Sequence, residues 1–406
     1  VLATPVPSHL TPLLPLVWAL RGAGHQVLLG GQPDLEGVAT AGGLSMAVLG
    51  TEEQEVRKRL AVRAAGRPDA GGAGGSRQEP PWDSLAERWR GRLESVTGPA
   101  LELARSWRPD LIVADPLEHA SLLVGGVLDI PVVHHRWGVD SFSTRSFGRV
   151  RDALAEICAR YGLADGLPAP TLVLDPCPPG LQDPDAAPGL PLRFVPSNGA
   201  GTVPAWAADR RAERRVCLSL GLRTLALEGP HVLTGILAAL GSLEGVETVA
   251  TVERQYREGL VVPPSVRLVD PAPISLFLDT CDAVVHHGGT GTGLTAIAAG
   301  LPQLVLPQTP WTAEHGERIA ATGAGLHLPD TEAPGTEGSG AEGQDGAGRI
   351  ADAVRRLLDE PEFGAGARRL GEEMARTPSP ADVLPHLERL AARGGVRPAV
   401  QGGSSA

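Results

Sequence analysis

Short apolar runs alternate with helically periodic segments in both halves of the chain, and that alternation prescribes parallel sheets covered by helices. Val1–Pro5 reads as the tail of a strand. Thr11–Gly22 then carries Leu13, Leu14, Leu16, Val17 and Leu20 at helical spacing, Gly24 stops that helix, and His25–Leu29 is the next strand. Strand, helix and strand in so short a stretch make a βαβ unit. Leu85–Trp107 is again helical, and Leu111–Ala114 and Val132–His135 are short strands. The strand pattern restarts at Val216–Leu220. It continues as helix, strand, helix, strand, helix, strand over Leu233–Leu240, Thr248–Val252, Ile274–Thr280, Ala283–His286, Leu294–Ala299 and Gln303–Leu306. Between the two series, Pro168–Pro204 is rich in Pro, Gly, Asp and Asn and marks the crossing. The expected division is 1–205, 206–380, and a C-terminal helix with a disordered tail over 381–406. Residues 50–80, charged and then glycine-rich at Gly71–Gly75, bury too little to order themselves and read as a mobile loop. Residues 330–348 read as a polar loop, with helices at 349–359 and 382–393.

At 406 residues the chain is too long for one core. Its formal charge of −11 argues against a nucleic-acid partner, whose affinity would rest on clustered Lys and Arg. Any phosphate must therefore be held locally, by backbone N–H groups and a few side chains. Cys158, Cys177, Cys217 and Cys281 are scattered, with no C-x-x-C pair, as in a reduced cytoplasmic protein with buried thiols. No apolar run is long enough for a membrane helix. The first residues lack the basic and apolar regions of a signal peptide.

The sharpest chemical feature is Val284-Val285-His286-His287-Gly288-Gly289-Thr290-Gly291-Thr292, a strand, a glycine turn and a helix beginning near Gly291. A helix N-terminus offers unpaired N–H groups and a positive dipole end. Glycines bring the backbone close to a ligand, and Thr290, Thr292 and His287 add donors. Such a turn suits a diphosphate. The same letters would also serve a tight strand–helix turn alone. The dinucleotide fingerprint fails because Leu294 stands where its third Gly belongs, and no P-loop Lys follows. No metal site is expected. Asp183-Pro184-Asp185 lies in the crossing and reads as a turn, and adjacent His134 and His135 point to opposite faces of a strand.

These segments, with Gly300–Pro307 and Gly323-Ala324-Gly325, resemble the GT-B glycosyltransferases that decorate bacterial natural products. Their motifs run His-x-Gly-x-Gly-Thr, Gly-x-Pro-Gln-Leu-x-Leu-Pro and Gly-Ala-Gly. His135–Asp140 and Leu174–Pro179 are similar to the subgroup acting on polyketide aglycones. The resemblance implies an α/β GT-B fold, with two Rossmann-like domains around a cleft. It implies an inverting transfer of a deoxyhexose from a nucleotide diphosphate, expected to be TDP, to a hydroxyl of an aglycone. The nucleotide sugar is a co-substrate, and no cofactor is implied. The enzyme is expected to act alone or as a homodimer.

By the same resemblance His9, directly after the first strand, is the catalytic base. Imidazole can take a proton from an alcohol near neutral pH. Asp115, at the end of Leu111–Ala114, is its orienting acid, although a strand-end Asp also caps a following helix, and Ser8 is another support for His9. Gly221 and Arg223 approach the diphosphate, and Val269–Pro273 holds the base. Many relatives carry Asp-Gln where this chain has Trp311-Thr312, with Glu314 and His315 nearby. That departure suggests a sugar with fewer hydroxyls, unless Glu314 substitutes from a shifted position. Two other readings keep the fold: a nucleotide-sugar epimerase or hydrolase, which should show paired carboxylates, and a non-catalytic partner protein.

Overall fold

The computed structural model describes residues 1–54, 57, 58, 60, 61, 81–140, 142–329 and 342–394. The glycine-rich part of the expected loop at 50–80 and the tail beyond 394 lie outside the described residues. The expected polar loop at 330–348 is described only from 342, and there it is helix, Glu342–Asp359.

Two parallel sheets are built from separate stretches of chain. The first comprises β1 (Leu29–Gly31), β2 (Met46–Val48), β3 (Ile112–Ala114), β4 (Val132–His135), β5 (Leu172–Asp175) and β6 (Leu190–Pro191). Leu2 bridges Gly30 of β1 and Ala114 of β3, so the first residues of the chain join a β1–β2 pair to the row β3-β4-β5-β6. The second holds β7 (Arg214–Ser219), β8 (Val246–Thr251), β9 (Val266–Val269), β10 (Ala283–His286), β11 (Gln303–Val305) and β12 (Gly325–His327). Their order is β12-β11-β10-β7-β8-β9, with every neighbour parallel. Counted within that domain the order is the doubly wound one, with its reversal between β7 and β10. The fold is α/β with two parallel-sheet domains, and residues 192–213 connect them.

Several elements depart from expectation, the strand expected at His25–Leu29 lying at Leu29–Gly31 among them. Ile274–Thr280 is two separate 3₁₀ turns, Ile274–Leu276 and Leu278–Thr280, because Phe277 between them takes φ −145°, away from helix. β9 and β12 add strands to the series. The helix Pro361–Arg376 lies between the two expected C-terminal helices.

The domains meet over an apolar seam in which Val139, Cys177, Leu181 and Phe194 pack with Leu294, Ile297, Ile319, Leu370 and Met374. The last helix, Leu384–Gly394, returns to the first domain, where Val383, Leu384 and Leu387 are buried with Leu13, Leu16, Val113, Val133 and Leu174. All four cysteines are buried and free. Among the described residues no helix is long and apolar enough to cross a membrane.

Candidate active site

Each sheet reverses its strand order once, the first around the segment at Leu2 and the second between β7 and β10. Ligands bind beyond the carboxyl ends of strands at such points. His9 follows the Leu2 segment and Asp115 ends β3. Gly221 follows β7 and His287 follows β10. Topology alone therefore assigns the sequence candidates to two reversal points, one per domain.

After Leu2 the chain turns sharply. Val6 N–H donates to the Thr4 carbonyl at 2.6 Å and His9 N–H to the Val6 carbonyl at 2.8 Å. One helical turn, Pro7–Leu10, then carries the His9 ring back over Thr4. His9 Nδ1 shares a 2.5 Å hydrogen bond with Thr4 Oγ1. Thr4 donates to Asp115 Oδ2 twice, from its N–H at 2.6 Å and its O–H at 3.1 Å. Asp115 Oδ1 accepts Leu117 N–H at 3.0 Å and lies 3.6 Å from His9 Nδ1. The acid thus closes the turn after β3 and lies against His9, but it does not cap the helix His119–Leu128, which begins at Glu118 with no side-chain cap. Ser8 is exposed, and the support expected of it comes from Thr4. Burial raises the Asp115 carboxyl, but His9 and the amides of Thr4 and Leu117 outweigh it and hold the group below its usual range.

The Trp137 ring lies 4.0 Å from the His9 ring. Its neighbour Gly138 presses on the other domain: a Cβ there would stand 3.1 Å from Thr290 Cβ and 3.0 Å from Leu294 Cδ1. Two consecutive residues therefore link the imidazole to the glycine turn across the cleft.

Around that turn the glycines have separate tasks. Gly288 has φ +87°, and a Cβ would come 2.6 Å from the Thr312 carbonyl oxygen. Its N–H donates to His286 Nδ1 at 3.1 Å, and His286 Nε2 in turn meets Gln303 Oε1 at 2.9 Å. The Gly288 N–H, expected to face a ligand, is thus occupied. Gly221, at φ +74°, and Gly289 make room for His287, whose ring atoms would lie 2.8 Å and 2.5 Å from a Cβ at each. Burial, with Arg223 adding and the Ser219 backbone opposing, holds His287 at about 4, so at neutral pH it is an uncharged donor. The helix Thr290–Ala298 follows, and Gly293 is the first to bond within it, to the Gly289 carbonyl at 3.0 Å. The N–H groups of Thr290, Gly291 and Thr292 are left at its positive end, and a Cβ at Gly291 would meet nothing.

Other candidates change role. The carbonyl of Val269 accepts Val252 N–H at 3.0 Å and its side chain is core, so at Val269 only the backbone is placed to meet a base. Thr312 Oγ1 accepts from the amides of Gln308 and Thr309 and caps the helix Pro310–Ala321. A hydroxyl so engaged is a poor sugar contact. Trp311 points across to the first domain, 4.8 Å from the Phe142 ring, with the Arg145 guanidinium 5.2 Å from its own ring. Glu314 pairs with Arg145 at 3.2 Å. Phe142 also faces Trp82 at 6.1 Å and Trp89 at 6.4 Å. Trp82 and Trp89 were not legible as site residues, since only tertiary packing brings them to Phe142. Asp183 accepts the Asp185 amide at 2.8 Å, as a turn does. Among the described residues no group of three or more His, Cys, Asp or Glu could hold a metal.

Models of the erythromycin biosynthesis protein CIII-like family match residues 18–221 with their N-terminal domain and 234–390 with their C-terminal domain. The chain belongs to this family. Family members at 32% and 33% identity are the aclacinomycin-T 2-deoxy-L-fucose transferase of Streptomyces galilaeus and the 10-deoxymethynolide desosaminyltransferase of Streptomyces venezuelae. The alignments cover 95% of this chain in both cases, and 94% and 95% of the relatives. The solved spinosyn rhamnosyltransferase SpnG superposes with a TM-score of 0.81 at 36% identity, over 95% of this chain and 99% of that one. The same enzyme complexed with thymidine diphosphate gives 0.80, and with spinosyn aglycone 0.79. The chain is a glycosyltransferase of GT-B fold, and the relatives named above are sugar transferases whose names include 2-deoxy-L-fucose, desosamine and the spinosyn aglycone.

Proposed function

We propose that this enzyme transfers a deoxyhexose from its TDP ester to a hydroxyl of a polyketide aglycone, with inversion at the anomeric carbon. The observation that carries the reading is the setting of His9. Thr4, itself held by Asp115, meets Nδ1, and the ring touches Trp137, one residue from the contact with the glycine turn. Nε2 is then the ring atom left to take a proton. As the acceptor oxygen attacks the anomeric carbon, its proton passes to Nε2, and the bond to the diphosphate oxygen breaks. One displacement inverts the centre. The departing charge meets the Thr290–Thr292 amides, the helix dipole, neutral His287 and Arg223. The aromatic group of Trp82, Trp89, Phe142 and Trp311 offers the acceptor an apolar wall. The relatives' deoxysugar names and the solved complex of SpnG with thymidine diphosphate support the choice of donor.

His9→Ala should lower turnover about 10²–10⁴-fold, the usual worth of a general base. TDP affinity by calorimetry should hardly change. Turnover within twofold of the parent removes His9 from the mechanism. The reaction should also run undiminished in EDTA, because helix amides and neutral donors meet the diphosphate. Loss of activity that magnesium restores would refute this.

A further inference from the structure

We propose that Thr4 is a positioning residue inserted between His9 and Asp115, so that the base is oriented through a hydroxyl rather than by the carboxylate directly. The distances decide it. Nδ1 to Thr4 Oγ1 is 2.5 Å, within hydrogen-bond range, whereas Nδ1 to Asp115 Oδ1 is 3.6 Å, beyond it. Asp115 is an acceptor only, and its Oδ2 takes both the N–H and the O–H of Thr4. With the hydroxyl proton directed at Asp115, Thr4 Oγ1 presents a lone pair to His9 and accepts the Nδ1 proton. That fixes the tautomer with the proton on Nδ1 and the lone pair on Nε2. No proton crosses Thr4 during turnover. Nδ1–H keeps its acceptor while Nε2 gains the proton from the substrate, and the buried carboxylate stabilises the resulting cation through the polarised hydroxyl. The inference rests on His9 being the base.

The test is a double-mutant cycle on the full-length enzyme. Thr4→Val keeps the side chain's volume and removes the oxygen, and Thr4→Ser keeps the oxygen. Thr4→Val should lower kcat at least tenfold and leave KM for the donor within twofold. It should also move the acidic limb of the kcat/KM–pH profile to lower pH, because the imidazolium loses an acceptor. Thr4→Ser should recover kcat to within threefold of the parent with the original limb. In a His9→Ala background Thr4→Val should have no further effect. Full turnover in Thr4→Val, or an unmoved limb, overturns the proposal, as does an equal loss in the His9→Ala background. A slow Thr4→Ser that still melts like the parent overturns it too. If His9→Ala is itself fully active, the base assignment fails, and that single variant separates the two failures.

Discussion

His9 and Asp115 were named from the sequence through the family resemblance, which points to positions shortly after apolar strands, where parallel sheets place their ligands. Thr4 could not be, since a threonine within a strand tail carries no signature until the turn at Val6 folds His9 back over it. Gly288 was legible as a glycine for ligand approach, yet its demand comes from the other side, where the Thr312 backbone crowds it. Gly288→Ala should therefore lower the melting temperature, since left-handed backbone costs about 1–2 kcal/mol for a residue with a Cβ, before any clash with Thr312. Gly291→Ala, facing open space, should melt like the parent, and equal midpoints for the two would contradict the geometry. Glu314 belongs to the same scale. Burial raises its carboxyl to about 7, against the pull of Arg145 and with Asp183 adding. The native state keeps a proton that the unfolded chain gives up from the ordinary 4.5 upward. The stability this group contributes is therefore whole below 4.5 and lost as pH rises through about 7. Glu314→Gln should flatten that decline in urea midpoints taken at about pH 5 and about pH 8. A decline as steep as the parent's would show that other groups cause it.

The alternation of strand and helix was readable because short continuous apolar runs, buried on both faces of a parallel sheet, differ so plainly from apolar residues at helical spacing. The helix Pro361–Arg376 escaped because Gly364, Gly366 and Gly371 lower its apparent propensity. Two of those glycines answer to packing: a Cβ at Gly366 would stand 2.2 Å from the Gly323 carbonyl oxygen, and one at Gly371 2.7 Å from that of Ile297. Its apolar face, Phe363, Ala367, Leu370 and Met374, nevertheless keeps helical spacing. The helix Pro310–Ala321 opens on a local signal at the position where the resemblance places donor contacts: Thr309 and Thr312 form a reciprocal cap. Thr312→Val removes the N3 half of that capping box and should cost about 0.5–1.5 kcal/mol, the net worth of a hydrogen bond. Donor preference in competition assays should stay unchanged. A changed preference with an unchanged melt would return the hydroxyl to the sugar site.

For the whole molecule, the chain crosses between the domains twice, and the two crossings are tied together. Arg193 N–H donates to the Pro378 carbonyl at 2.6 Å, and the Arg193 guanidinium holds the Thr377 carbonyl at 3.0 and 3.1 Å. Leu387, 1% exposed, sits in the core of the first domain. Leu387→Ala should cost about 2–5 kcal/mol, as large-to-small core changes do. Limited proteolysis should show the first domain opening before the second, and the reverse order would contradict the packing. This arrangement also bears on how the protein is made. A ribosome delivers β6 long before it delivers Leu384 and Leu387, so the first domain must wait with an apolar face uncovered while the entire second domain is synthesised. A message cut short after the second sheet would yield a chain that can fold its nucleotide-facing half and cannot close the half bearing His9. Such a product would be sticky, a natural target for chaperones and proteases, so that completed translation becomes a condition for a closed first domain around His9.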